Sequence, residues 1–277
     1  MDRRVLVVNG KGGSEYTTIT EAVKASVDGD TILVRVGQYE EKLVLDKSVS
    51  IIAEDHTEVA DIIISGGVVI TQGSGSIKNI SIQQALEIRG GTPHIEGCDV
   101  SQGSDGIRVL NDSNPHISKC SIHGAQSGGD GIYFGKGSKG TVEECDIHSN
   151  RVNGIHVNGA EVVLRQNKIH DCPYGMYFRN NGKGVAENNI VDNVACFGIY
   201  VVNGADPLIV KNNVLNCAVH GVMISSGGSG NFKDNTVHGS VRILRGCMPT
   251  LGVNTFAGRI DNENNQPLAP PPGVPVA

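Results

Sequence analysis

Residues 154–178 read GIHVNGAEVVLRQNKIHDCPYGMYF, and the reading of that stretch decides the fold. Gly154 opens a short alternating run, Ile155-His156-Val157, and Gly175 opens the next, Met176-Tyr177-Phe178. Moving outward, the same glycine recurs at Gly106, Gly131, Gly198 and Gly221, with steps of 25, 23, 21, 23 and 23 residues along the series. A period in the low twenties that carries strand and turn residues, and no helical pattern, predicts a chain wound as a parallel β-solenoid. Alternation sends the second and fourth residues of each run inward and the third outward. The inward stacks are then Ile107, Ile132, Ile155, Met176, Ile199 and Val222, beside Val109, Phe134, Val157, Phe178, Val201 and Ile224.

The other half of each coil sets a small polar residue two places before an aliphatic one. The series runs Cys98-Asp99-Val100, Cys120-Ser121-Ile122, Cys145-Asp146-Ile147, Asn167-Lys168-Ile169, Asn188-Asn189-Ile190, Asn212-Asn213-Val214, Asn235-Thr236-Val237 and Asn254-Thr255-Phe256. One row thus passes from thiols to asparagines, which bond to one another and to the turn backbone, a structural device. The seven cysteines read as reduced core thiols, which favours a reducing compartment.

Upstream, YTTITEAVKASV at residues 16–27 spaces Ile19, Ala22, Val23 and Val27 helically behind a threonine-rich start. A solenoid exposes its apolar cross-section and a strand edge at its first coil, so this helix is expected to be a lid. The expected organisation is an N-terminal strand and capping helix over 1–30, a β-helix of about ten coils over 31–260, and a proline-rich tail over 261–277. The formal charge of −6 argues against nucleic acid or an anionic membrane as partner. No apolar run reaches the length of a membrane span, and Val5 to Val8 is too short for a signal segment, so a cytoplasmic location is expected.

The connectors alternate between two types, NDSNPHISKCSIHG, NGAEVVLRQNKIHDC and NGADPLIVKNNVLNC in every second coil, with GKGSKGTVEECDIHSN, NNGKGVAENNIVDN and SGGSGNFKDNTVHG between. These paired connectors, followed by Gly-Ile-Tyr-Val, resemble the right-handed parallel β-helix repeats called CASH repeats, and in particular the solenoid of F-box substrate receptors, over about Leu86 to Gly239. The resemblance implies an all-β, single-stranded, right-handed parallel β-helix of the pectin lyase-like class bearing a substrate-binding or scaffold surface. The chain departs from those receptors in having no room for an F-box. YTTITEAVKAS and TILVRVGQYEEKLVL also resemble the opening of pectin methylesterases, as a cap and first coil. The Gln-Asp-Thr-Leu run of those esterases is absent, as are the Asn-Thr-Asp and Gly-His-Gly pair of polygalacturonases, the Arg-x-Pro-x-x-Arg of pectate lyases and the Asp-Pro-His of alginate epimerases.

Three rows are candidates for chemistry. Asp105 and Asp130 precede strand glycines on adjacent coils, where two carboxyls about 5 Å apart would match a retaining glycosidase, although Asp-Gly is also a favoured turn dipeptide. His123, His148 and His170 follow the inward aliphatic residue, with Val191, Leu215 and His238 at the positions assigned to later coils. They are weak metal candidates because a parallel stack lacks tetrahedral convergence. Arg108, Tyr133, His156, Tyr177, Tyr200 and Met223 point outward in one row, in a composition typical of recognition surfaces and also of ordinary cross-strand packing. The expected function is a non-catalytic module that binds a protein or polysaccharide through that exposed aromatic row, with no cofactor. The alternative is a polysaccharide lyase, hydrolase or epimerase working at Asp105 and Asp130.

Overall fold

The computed structural model describes residues 3–126 and 128–264. The chain visits three sheets in turn, as in Glu161–Arg165, Lys168–His170, Tyr174–Arg179 and then Lys183–Glu187 back in the first. The first sheet has 12 strands, from Val5–Val8 to Thr250–Leu251. The second has 11, from Gly37–Tyr39 to Thr255–Phe256, and the third has 11, from Leu43–Leu45 to Ile260–Asn262. Twelve turns replace the ten expected, because the coils before Leu86 and the last one lack the glycine signature. The third sheet reaches Asn262, and the expected tail otherwise falls mostly on residues 265–277, outside those described. Among the described residues no helix is long and apolar enough to cross a membrane.

All strand pairs that build the third sheet are parallel and in register, so Ile107, Ile132, Ile155, Met176, Ile199 and Val222 form one inward column, fully buried. The glycines that mark the period stand where coils approach too closely for a side chain. A Cβ on Gly131 would lie 2.6 Å from the Gly154 carbonyl oxygen, and one on Gly198 would lie 2.7 Å from that of Gly221. The conserved spacing within the chain therefore records backbone contact rather than turn geometry.

The asparagine ladder is present with one shift in register. Asn167 donates to Asn189 Oδ1 from both its backbone N–H (3.0 Å) and its Nδ2 (2.9 Å), Asn189 does the same to Asn212, and Asn212 to Asn235. The ladder member is Asn189, not the expected Asn188, which instead takes a left-handed turn conformation (φ 55°). The run Asn-Asn-Ile-Val admits either register, and burial selects the one with Val191 inside and Ile190 outside. His170 accordingly pairs with Asp192, not with Val191. All seven cysteines are free, and burial pushes the Cys172 thiol up to about 11, so it stays protonated at neutral pH.

The lid is the helix Ile19–Ala25, shorter than the 16–27 expected; Ile19, Ala22 and Val23 are buried and Val27 lies exposed beyond it. Thr18 caps it through Glu21 N–H (3.2 Å). Below the helix, buried Asp30 accepts from Arg4 Nη2 at 2.5 Å and from the Val27 N–H at 2.9 Å. Chiefly the Arg4 side-chain bond, then the Val27 bond, hold its carboxyl at about 2. A depressed carboxyl stabilises the fold above its ordinary value near about 4 and loses that contribution as pH falls toward the folded value. The cap is therefore expected to loosen between about pH 4 and pH 2. Amide exchange of Val5–Val8 should quicken over that range, more in the native chain than in Asp30→Asn; equal behaviour of the two would refute the assignment.

Candidate functional site

The outward row of the third sheet runs in register through Glu87, Arg108, Tyr133, His156, Tyr177, Tyr200 and Met223. Beside it, the residues before the glycines form a second row, in which Asn153, Tyr174, Phe197 and His220 pair strand to strand. The two rows share one face. His156 stacks on Tyr177 with centroids 4.9 Å apart, and Tyr177 on Tyr200 at 4.9 Å and 8°. Tyr133 meets His156 edge-on, Tyr174 packs against both Tyr177 and Tyr200, and Phe197 stacks on His220.

The row is half-buried rather than exposed as expected, because parallel in-register strands bring equivalent rings face to face. Ring faces are largely covered by neighbouring rings, so flat stacking of a sugar on a tyrosine is not what the column offers. It presents edges and polar handles. Tyr133 Oη accepts from Asn158 Nδ2 (2.8 Å), and Tyr200 Oη lies 3.1 Å from Ser225 Oγ. Arg108 and Arg179 lie over Tyr133 and Tyr177, 5.7 and 5.8 Å from the ring centroids.

At the head of the column the rows join chemically. Asp130 Oδ2 is 2.7 Å from His156 Nδ1, and its Oδ1 accepts from Asn153 Nδ2 at 2.6 Å. The Asp130 N–H donates to Asp105 Oδ1 (2.8 Å), and Arg108 Nε sits 3.3 Å from Asp105 Oδ2. Burial pushes the Asp105 carboxyl above its usual value, and the charge of Asp130 acts in the same direction. The two aspartates thus occupy adjacent coils, but Asp130 is held by Asn153 and His156 and is not a free carboxylate facing Asp105.

Five buried side-chain polar atoms lack a hydrogen-bond partner among the described residues: Arg108 Nε, Asn153 Oδ1, His156 Nε2, Arg179 Nε and Asn213 Oδ1. The first four belong to this face. Leaving such an atom unpaired costs about 1–3 kcal/mol, so their concentration marks a place built for something else to bond. Arg179 also has no carboxylate within ion-pair distance among the described residues. Sequence reasoning missed it because it lies at the end of the strand Tyr174–Arg179, past the Gly-x-x-x motif. Tyr174, Phe197 and His220 were missed as site residues, although the row before the glycines visibly turns aromatic. N-terminal to Arg108 the face continues into a hollow of about 460 Å3 lined by Lys42, Gln84, Glu87 and Ser104.

The second-sheet histidines do come together. His123, His148 and His170 stack at 4.9 and 5.1 Å, with His123 Nε2 on Asp99 (2.9 Å) and His170 Nε2 on Asp146 (2.8 Å). Parallel rings directed at separate carboxylates do not converge on a point, and no group of metal-ligating side chains suited to an ion occurs among the described residues.

Comparison with known proteins places this geometry. Residues 124–258 match the family model described as "Right handed beta helix region". The structure of pectate lyase Pel9A superposes with a TM-score of 0.58 at 14% identity, covering 98% of this chain and 80% of that one. This chain is a right-handed parallel β-helix. Two pectin methylesterase structures match the β-helix with lower scores. One, in complex with a hexasaccharide, has a TM-score of 0.46 at 11% identity over 92% of both chains. The other, PemA from Erwinia chrysanthemi, has 0.41 at 9% over 94% of this chain and 93% of its own. No curated protein matches the β-helix in sequence. At these identities the likeness establishes the fold, which polysaccharide-active enzymes and binding modules share, and leaves the choice to the site.

Proposed function

We propose that this β-helix is a recognition module whose third sheet holds an acidic glycan along the Arg108–Tyr200 column. The observation that carries the reading is the set of buried polar atoms on that face without a hydrogen-bond partner, of which Asn153 Oδ1, His156 Nε2 and Arg179 Nε have no ion pair through that atom either. Arg179 Nε calls for an acceptor, preferably anionic, and Asn153 Oδ1 for a donor, while His156 Nε2 and the Arg108 guanidinium beside Asp105 add further polar contacts. A ligand carrying carboxylates and hydroxyls on the same unit supplies both, which a uronic acid chain does and a neutral glycan or an apolar peptide does not. The aromatic edges between these groups exclude water and strengthen each polar contact. The enzyme reading based on Asp105 and Asp130 as a free pair is less favoured, since Asp130 is already bonded on both oxygens.

Calorimetric titration with polygalacturonate, alginate and a neutral glucan tests this. Binding is expected for the acidic chains only. Arg179→Ala should weaken it roughly tenfold to a hundredfold, the loss of a charge-assisted hydrogen bond. Equal binding of the neutral glucan, an unchanged Arg179→Ala, or capture of a protein with no glycan affinity would each defeat the proposal.

A further inference from the structure

His156 is the point on this face where a proton and an anion can meet. Its ring is 12% exposed and the Asp130 side chain 10%. Asp130 Oδ2 accepts from Nδ1–H at 2.7 Å, and Asn153 Nδ2 donates to Asp130 Oδ1 at 2.6 Å. The ring is thus held on rigid strands with Nε2 buried and without a hydrogen-bond partner. Tyr133 meets it edge-on, Tyr177 stacks on it, and Tyr174 packs against Tyr177. The charged groups around it are Asp105, paired with Arg108, and Arg179, which lies over Tyr177. The Asp105–Arg108 pair is neutral and the Arg179 charge offsets that of Asp130, so the face by itself carries no surplus cation for an incoming carboxylate. Such a group would meet the Asp130 charge across a neutral imidazole, in surroundings less polarisable than water. One proton on Nε2 removes the conflict, because it makes the ring a cation that donates to a carboxylate from each nitrogen.

We propose that His156 is a proton-linked receptor for one carboxylate of the ligand: as the ligand docks, Nε2 takes a proton from solvent and donates it in a hydrogen bond to that carboxylate, while Asp130 holds the positive ring from the other side. The inference rests on the acidic-glycan reading and adds to it which side chain receives the anion and at what pH. Solvent supplies the proton on binding and recovers it on release. The linkage is reciprocal, so the ligand raises the proton affinity of the ring by the same factor as the proton raises ligand affinity. Because the proton favours the bound state, affinity rises as pH falls from about 8 to about 5, by no more than about tenfold per pH unit for a single proton. Uronate carboxyls titrate near about 4 and stay ionised over that range. A neutral glycan offers Nε2 a hydroxyl, which calls for no proton. Asp130 is a positioning residue, acting through His156 Nδ1.

The full chain is titrated calorimetrically with polygalacturonate from about pH 5.5 to about pH 8.5, in phosphate and in Tris, whose different ionisation enthalpies reveal the number of protons taken up. Uptake approaching about one proton is expected near neutral pH, with affinity at least about fivefold higher at the acid end. Nitrogen-15 NMR of the native chain should show His156 Nε2 change from a lone pair to N–H as polygalacturonate saturates it, which separates this ring from Asp105, the other group on the face that gains a proton as pH falls. His156→Gln, whose amide can donate without titrating, should still bind but lose both the uptake and the pH slope. Asp130→Asn should move the slope to lower pH, which a merely structural residue would not do. Native chain that binds polygalacturonate with no proton uptake and no change at Nε2, or His156→Gln that keeps the uptake, overturns the proton linkage and leaves the binding reading standing. Absence of polygalacturonate binding at every pH overturns both.

Discussion

Asn189→Ala is expected to destabilise the chain by about 4 kcal/mol. Asn189 Oδ1 is the acceptor for two donors of Asn167, and its Nδ2 donates to the Leu164 carbonyl and to Asn212 Oδ1, both at 2.9 Å. Asn167 Nδ2 and Asn212 Oδ1 keep other partners, Val142 O and the Asn189 N–H. The Asn167 N–H is left buried without one, at about 1–3 kcal/mol, the Leu164 carbonyl, which lies in a strand paired with Lys183–Glu187, loses its side-chain donor, and the missing amide adds a cavity. Asn231→Ala is the control. That side chain is exposed on the strand Asn231–Lys233, so its loss should stay within about 0.5 kcal/mol. Denaturant midpoints distinguish the outcomes, and equal midpoints for the two variants would show that the ladder contributes little to stability.

Gly175→Ala is expected to destabilise the chain by about 3 kcal/mol and to disturb the aromatic face as well. The added Cβ would stand 2.4 Å from the Gly198 carbonyl oxygen and 2.4 Å from Val191 Cγ1. Neither atom can retreat easily, because one is backbone paired in the sheet and the other is packed in the core. Relief requires the two coils to part. Tyr174 and Tyr177 lie on the same strand, so the edge-on contact of Tyr174 with Phe197 and the stacking of Tyr177 on Tyr200 should loosen together. Near-ultraviolet circular dichroism should therefore fall in proportion to the stability loss, whereas an unaltered tyrosine signal would mean that the strand absorbs the methyl locally.

The period was legible because Gly106 through Gly221 stand where a Cβ would meet the next coil's carbonyl or a packed core side chain, which leaves no choice of residue and so writes itself plainly. The inward stacks followed from alternation alone. Asn188 and Asn189 were misassigned because two asparagines and two aliphatics in sequence satisfy either register, and only burial of Val191 separates them. The outward row from Arg108 to Met223 was legible for the same reason as the core. What the sequence could not reveal was the bond from Asp130 to His156, which crosses from one row to the other and from one coil to the next. It depends on side-chain direction, not on position. Nor could spacing show that the tyrosines turn their faces to each other, or that Arg179, beyond the four-residue motif, folds back over Tyr177.

The stacked column from Tyr133 to Met223 takes one residue from each of five successive coils, and strand spacing of about 4.8 Å makes it roughly 20 Å long. Because no coil can slide against its neighbour without breaking the sheet, the interval between contacts is invariant. For an acidic glycan held as proposed, the molecule is in effect a gauge: affinity should climb in discrete increments as an oligomer lengthens to match successive rungs, then level off once its ends overhang the column.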